Sequence, residues 1–206
     1  MTTKELEKIV EKNLKRSDAM IDTETGLAAL EKIAKQAVRE DISWALVGGI
    51  AMHLYGGPRL TKDVDVIARK TLNIKSERQL GFGGERYLSR VDKREIAIDW
   101  IVRKDEAKAF YTRALDEAVT LQGIRIISPE WMVILKYIAG RFKDQQDAVF
   151  LLKQKGLVNR KLIRKKIIET AGGPFWALIA NNLKRWYDLA DGKITTEKED
   201  YEAEKL

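Results

Sequence analysis

Two stretches decide how this chain folds: Trp44-Ala-Leu-Val-Gly-Gly-Ile-Ala-Met-His-Leu-Tyr55 and, shortly after it, Arg59-Leu-Thr-Lys-Asp-Val-Asp-Val-Ile67. Trp44–Val47 is an apolar run of the length of a short buried strand. Gly48-Gly49 ends it, and residues 50–55 read as a short helix closed by Gly56-Gly57-Pro58. Residues 63–67 read as a second strand. Successive side chains on a strand leave opposite faces, so Asp63 and Asp65 share one face while Val64 and Val66 enter a core from the other. Two carboxylates so close repel unless a cation sits between them, and oxygen-only ligands favour Mg²⁺ or Mn²⁺ over zinc. A solvated strand edge or turn is the alternative setting for such a pair.

Working outward, residues 86–91 and 95–102 are further β-like runs. The second carries an acid, Asp99, inside Ile96-Ala-Ile-Asp-Trp-Ile-Val102, where alternation sets it opposite Ile98 and Trp100. Gly81-Phe-Gly-Gly84 precedes a strand rather than a helix, so it reads as a hairpin turn and not a nucleotide loop.

Upstream, Leu6, Ile9, Val10 and Leu14 keep a helical period, with Thr2 and Glu5 spaced as a capping box. A second amphipathic helix follows, with Thr23 as its N-cap, through Leu27, Leu30, Ala34, Ala37 and Val38. Downstream come a charged helix near 104–118 and an edge strand at 124–127. From the Ser128 cap and Pro129 the pattern is helical to about Ala190, with Phe175, Ile179, Leu183 and Trp186 as the core stripe of its last helix.

The expected fold is therefore α/β of the α+β kind, a mixed sheet flanked by helices and followed by a helical lobe. The expected division is a core over 1–127 with two N-terminal helices, a helical lobe over 128–192, and an acidic flexible tail over 193–206.

Composition narrows the chemistry. The 206 residues are 45% hydrophobic and 33% charged, the balance of a folded globular chain. The absence of cysteine excludes disulfide frameworks, thiolate zinc, iron–sulfur clusters and cysteine nucleophiles, and the single histidine excludes multi-histidine metal sites. His53, beside Leu54 and Tyr55, reads as a packed residue rather than a base. With no stretch of about 20 apolar residues and a charged N-terminus, the expectation is a cytoplasmic protein with no membrane partner. The net charge of +7 suits phosphate-bearing partners.

The order strand, Gly48-Gly49, short helix, Asp63-x-Asp65, then a third acid on a separate strand resembles the DNA polymerase beta-like nucleotidyltransferase superfamily. Within it, Lys136 followed by Arg141-Phe-Lys-Asp-Gln-Gln-Asp147 is similar to a motif of the bacterial nucleotidyltransferases of abortive-infection and type IV toxin–antitoxin systems. The resemblance covers about residues 43–155.

It implies transfer of a nucleoside monophosphate from a nucleoside triphosphate to an acceptor hydroxyl by a two-metal mechanism. Asp63, Asp65 and Asp99 would together bind two Mg²⁺ or Mn²⁺ ions, Asp63 and Asp65 coordinating both while Asp99 would help activate the attacking hydroxyl. Gly48 and Gly49 would hold the β- and γ-phosphates on backbone amides. Lys136, inside the apolar Trp131–Ala139 helix, would meet the triphosphate unless it merely snorkels to water, and Arg141 would stand with it. Arg59 and Thr61 either touch phosphate or close the loop as a cap. Lys143, Asp144 and Asp147 would border the site or form a surface pair at helical spacing.

Residues 153–166 carry Lys153, Lys155, Arg160, Lys161, Arg164, Lys165 and Lys166 with no acid. Such a segment either tracks a nucleic-acid backbone or is a solvated helix face. With the first reading, the resemblance implies RNA, with tRNA foremost, as the acceptor, and a toxin with a cognate antitoxin as the setting. The alternatives are an antibiotic, other small molecule or protein as acceptor, or a nucleotide- or RNA-binding protein without catalysis.

Overall fold

The computed structural model describes residues 20–58 and 60–195, so the helix expected over 3–16, Arg59 and the tail beyond 195 lie outside the described residues. The chain divides into two compact units. One comprises the described residues up to Leu54 together with Pro58–Val102, and the other Tyr55–Gly57 with the described residues from Arg103 onward. The units thus divide after Val102, whereas 127/128 marks where the continuous helical pattern begins.

In the first unit, helix α1 spans Thr23–Arg39. Its N-cap is Asp22 rather than Thr23: the Asp22 carboxylate accepts from the Thr25 amide at 2.7 Å and from the Thr25 hydroxyl at 2.9 Å. The aspartate satisfies an amide that the helix leaves without a partner, and that bond lowers its own pKa. Ala29, Leu30, Ile33 and Ala37 make up its buried stripe.

Strand β1 (Trp44–Val47), helix α2 (Gly48–Leu54) and strand β2 (Asp63–Ala68) follow, then β3 (Arg78–Gln79), β4 (Gly84–Val91) and β5 (Arg94–Ile101). The strands lie in the order β3-β4-β5-β2-β1. β2 and β5 are parallel and the other pairs antiparallel, so the sheet is mixed. The β3–β4 hairpin contains Gly81–Gly83 in its turn, as read from the sequence.

Register sorts the side chains by face. Leu46, Val64, Val66, Ile98, Trp100 and Tyr87 are buried on one face, which packs against α1. Trp100 is wholly buried, and its indole N–H still finds the Lys70 carbonyl at 2.8 Å. The other face carries Asp63 and Asp65 on β2, Glu95, Ala97 and Asp99 on β5, and Arg86, Leu88 and Arg90 on β4.

The second unit holds helix α3 (Lys108–Asp116), a hairpin of β6 (Val119–Leu121) and β7 (Ile124–Ile126), and helices α4 (Pro129–Ala139), α5 (Phe142–Lys153) and α6 (Arg160–Ala190). The Ser128 hydroxyl caps α4, as expected. Helix α4 is buried on most of its circumference, from Glu130 to Lys136, which marks an interior helix. Buried Glu130 accepts from the Asn159 amide at 3.0 Å and so ties α4 to the start of α6.

The long helix is not continuous. Gly172 has φ 85 and ψ 169, a conformation open essentially only to glycine, and Pro174 follows it. At 1.5 Å per residue a straight helix of that length would hold its ends about 46 Å apart. Arg160 instead reaches Asp191 at 3.0 Å and stacks on Tyr187, so the helix doubles back at the glycine. Among the described residues no helix is long and apolar enough to cross a membrane.

Candidate active site

The first unit brings the three sequence-read acids together. Asp65 and Asp99 are direct partners in the parallel β2–β5 pairing, and Asp63 pairs with Ala97 on the same face. The Asp-Val-Asp alternation is what turns Val64 and Val66 inward and both carboxylates outward.

Gly48-Gly49 lies directly on the acids. Gly48 has φ +66, and a Cβ there would stand 2.5 Å from both Cβ and Cγ of Asp65. A Cβ on Gly49 would stand 2.5 Å from that of Thr61. The Gly49 amide donates to Asp65 Oδ2 at 3.4 Å. The turn is thus glycine on both counts, one for backbone sign and both for space.

Thr61 is buried, its carbonyl accepting from the Ile21 amide at 2.9 Å. Its hydroxyl lies 3.2 Å from Asp63 Oδ1 and 3.1 Å from the Asp63 carbonyl. It closes the loop onto the first acid, the capping alternative read from the sequence.

Sequence reasoning missed the cation among these acids. Arg86, the partner of Asp99 across β4–β5, donates through Nε to Asp99 Oδ1 at 2.5 Å and through Nη2 to Asp99 Oδ2 at 2.8 Å. The same Nη2 reaches Asp63 Oδ2 at 3.2 Å. The bond that Arg86 donates to Asp99 raises the pKa of Arg86, against the pull of desolvation. The turn Asp92-Lys93 pairs Val91 with Arg94 and so sets Arg86 opposite Asp99, a register that no Asn-Gly or Asp-Gly pair announces in the sequence.

This arrangement bears on the ions that the resemblance implies. Among the described residues no three acidic or histidine side chains converge to hold a metal ion together. Asp63 and Asp65 still fit a hard cation as two carboxylates leaving one strand face. Asp99 gives both of its oxygens to the Arg86 guanidinium.

The motif of α4 and α5 forms a second cluster, within the other unit. Lys136 is buried and donates to Asp144 Oδ1 at 2.9 Å and Asp147 Oδ2 at 2.6 Å. Arg141 Nε adds a bond to Asp144 Oδ2 at 2.5 Å. Burial pushes the Asp144 pKa up, but the bonds from Arg141 and Lys136 outweigh it and the net shift is downward. Lys136 thus neither snorkels to water nor stands as a lone cation. Lys143 is exposed, and Asp147 takes Lys136.

The basic segment is only partly available. Arg160 is held by Asp191, while Lys166 pairs with Glu117 and lies over the Trp131 ring. Lys153, Lys155, Lys161, Arg164 and Lys165 are exposed, Arg164 lying over the ring of Trp176. His53, read as packed, is exposed near the end of α2.

No family model matches the chain, and no curated protein matches it in sequence. Among solved structures, the chain is similar to an antigenic nucleotidyltransferase-like protein from Paracoccidioides brasiliensis, with TM-score 0.50 and 16% identity. The match covers 84% of this chain and 93% of that one. At that identity the likeness shows the fold alone: this chain folds like that protein.

Proposed function

We propose that the chain is a nucleotidyltransferase that moves a nucleoside monophosphate from a nucleoside triphosphate to an acceptor hydroxyl. The observation that carries this reading is the register of Asp65 with Asp99 beside Asp63, with the Gly48-Gly49 turn closed down on Asp65. In the transfer the acceptor oxygen bonds to the α-phosphorus, the bond to the bridging oxygen breaks, and pyrophosphate leaves with the electron pair. The hydroxyl proton passes to a carboxylate of this sheet face.

Asp63 and Asp65 are the residues that would hold Mg²⁺ or Mn²⁺, which would neutralise charge on the phosphate oxygens. Thr61 hydrogen-bonds the Asp63 side chain, and Gly48 and Gly49 put no Cβ of their own against Asp65 and Thr61.

RNA is the proposed acceptor, with tRNA foremost, and a toxin restrained by a cognate antitoxin is the proposed setting. The exposed Lys153, Lys155, Lys161, Arg164 and Lys165 support a polyanionic partner. The pairing of Arg160 and Lys166 inside the unit favours the second reading, a small-molecule acceptor that needs no such track.

The experiment is incubation of the protein with each α-³²P-labelled nucleoside triphosphate, Mg²⁺ and total RNA, with Asp63→Ala and Asp65→Ala as controls. Label on RNA that either substitution abolishes, in folded variants, supports the reading. Equal labelling by a folded Asp65→Ala variant removes it.

A further inference from the structure

The acid-bearing face of the sheet continues past the acids. Strand β2 begins at Asp63, level with Ala97, but β4 and β5 stay paired beyond that point, through Arg90 with Glu95 and Val91 with Arg94. The hairpin therefore outruns β2. Its face carries Leu88 opposite Ala97, in the same row as Asp63, and then Arg90 opposite Glu95.

A lone exposed leucine is ordinary on a protein surface. Leu88 is set differently. It is 44% exposed between two arginines of its own strand face, Arg86 and Arg90, while Tyr87 and Ser89 beside it are buried on the other face. The small Ala97 across from it leaves a low apolar strip next to the first acid. Arg90 and Glu95 are exposed, opposite in charge and direct cross-strand partners, which places them within reach of a pair. Among the described residues neither forms an ion pair, so the Arg90 guanidinium keeps its donors for an anion.

The direction of the chemistry selects this side of the site. In-line displacement puts the attacking and leaving oxygens on opposite sides of the α-phosphorus. The strands run β4-β5-β2-β1, and the Gly48-Gly49 turn follows β1. With the triphosphate on the Gly48-Gly49 side, pyrophosphate leaves toward β1 and the acceptor hydroxyl arrives over β5 and β4. Alternate residues on one strand face stand about 7 Å apart, so Arg90 lies one such step beyond Leu88, a spacing of the order of one nucleotide in an extended strand. An apolar surface for a ring beside a cation for the backbone is how single-stranded nucleic acid is held.

We propose that this ledge of the β4–β5 hairpin seats the acceptor RNA. The base of its 3′-terminal nucleotide rests on Leu88 and Ala97, the phosphate on the 5′ side of that nucleotide meets Arg90, and the 3′-hydroxyl lies toward the acids. Leu88 and Arg90 are specificity-determining residues for the acceptor. This rests on the nucleotidyltransferase reading with RNA as acceptor, which it deepens by stating which end of the RNA binds and where.

Both side chains face water, and threonine at position 88 suits a strand. In transfer assays on the full chain with tRNA and Mg²⁺, Leu88→Thr and Arg90→Gln are each expected to raise the KM for tRNA about fivefold or more, with the KM for the nucleoside triphosphate within about twofold of wild type. An unchanged tRNA KM in either folded variant, or a rise confined to the triphosphate KM, overturns the inference and leaves the nucleotidyltransferase reading standing. Wild-type protein that labels no RNA removes the acceptor reading and the inference together.

The Leu88 methyl resonances, assigned by their loss in Leu88→Thr, give a readout apart from activity. A short single-stranded RNA is expected to move them upfield through the ring current of its terminal base, and the same RNA with an abasic 3′ end is expected to leave them in place. Equal shifts with both RNAs, or no shift with either, overturn the inference. Leu88→Met supplies the assignment should Leu88→Thr fail to fold, and the resonances of the unaltered protein then decide.

Discussion

Gly48 lies against Asp65 so closely that a methyl on its Cα would stand 2.5 Å from both Cβ and Cγ of the aspartate. Its φ of +66 adds a backbone cost to that overlap, since a residue with a Cβ is strained there by about 1–2 kcal/mol. Gly48→Ala is therefore expected to lower the melting temperature by at least about 2–4 °C for each kcal/mol lost. It should also abolish nucleotidyl transfer at temperatures where the variant is still folded, because Asp65 must move to admit the methyl. A folded Gly48→Ala protein with wild-type transfer would show that the position of Asp65 does not matter to the reaction.

The buried Lys136 serves two aspartates, and removing it takes a buried counterion from both. Lys136→Met is expected to cost about 3–5 kcal/mol by the usual penalty for breaking a buried pair from one side. The pH dependence carries the signature. In the wild type the Asp144 pKa is lowered, so its contribution to stability is present above the unfolded carboxylate range and lost as pH falls through the folded value. Without Lys136, one of the two cations that oppose burial at Asp144 is gone and its pKa rises, so acidification neutralises that carboxylate. The gap in melting temperature between variant and wild type should narrow from pH 7 to about pH 5. A gap independent of pH would mean that Lys136 contributes packing rather than charge.

The strand, double-glycine turn and Asp-x-Asp pair were legible because each is a local pattern: a short apolar run, a breaker, and alternation of period two. Arg86 was not, because it joins the site only through the β4–β5 register, and Asp92-Lys93 is not the Asn-Gly or Asp-Gly pair that announces a two-residue hairpin. Strand β6 escaped notice for a related reason. All three of its residues are exposed, so no burial alternation marks them. Lys136 read as a lone cation in an apolar helix because its partners come from α5, beyond the Gly140 cap. The Gly172-Gly173-Pro174 breaker stood in plain view, yet the apolar period on both sides hid the reversal.

Binding of RNA, if RNA is the acceptor, depends on which cations are still available. Neutralising exposed Lys161, Arg164 and Lys165 together should weaken binding. It should also flatten the dependence of log K on log salt by up to about 2, at about 0.7 for each single-strand phosphate that is no longer neutralised. Lys166→Gln should leave that slope unchanged, since its ammonium already pairs with Glu117 over the Trp131 ring. Filter binding from about 50 to about 300 mM salt reads both. Equal slopes for the triple variant and wild type would move the acceptor to the small-molecule class.

The reversal of α6 is held by two devices that fail differently. Gly172 has open space around it, the nearest atom to an added Cβ being Pro174 Cδ at 3.6 Å. Gly172→Ala should therefore cost only backbone strain, about 1–3 kcal/mol, with no dependence on salt or pH. The Arg160–Asp191 pair closes the other end, and its hydrogen bond, with a second from Lys193, holds the Asp191 carboxyl well below the usual carboxylate range. A lowered folded pKa means that the contribution is present above the unfolded value and lost as pH falls through the folded one. The melting temperature of Asp191→Asn should thus lie below that of wild type by a constant margin at about pH 5–8, closing below about pH 4. The pair is partly exposed, so about 1 M NaCl should shrink the same margin. If the margin survives both acid and salt, the Asp191 side chain acts through the helix-capping geometry of its backbone and the ionic clasp is incidental.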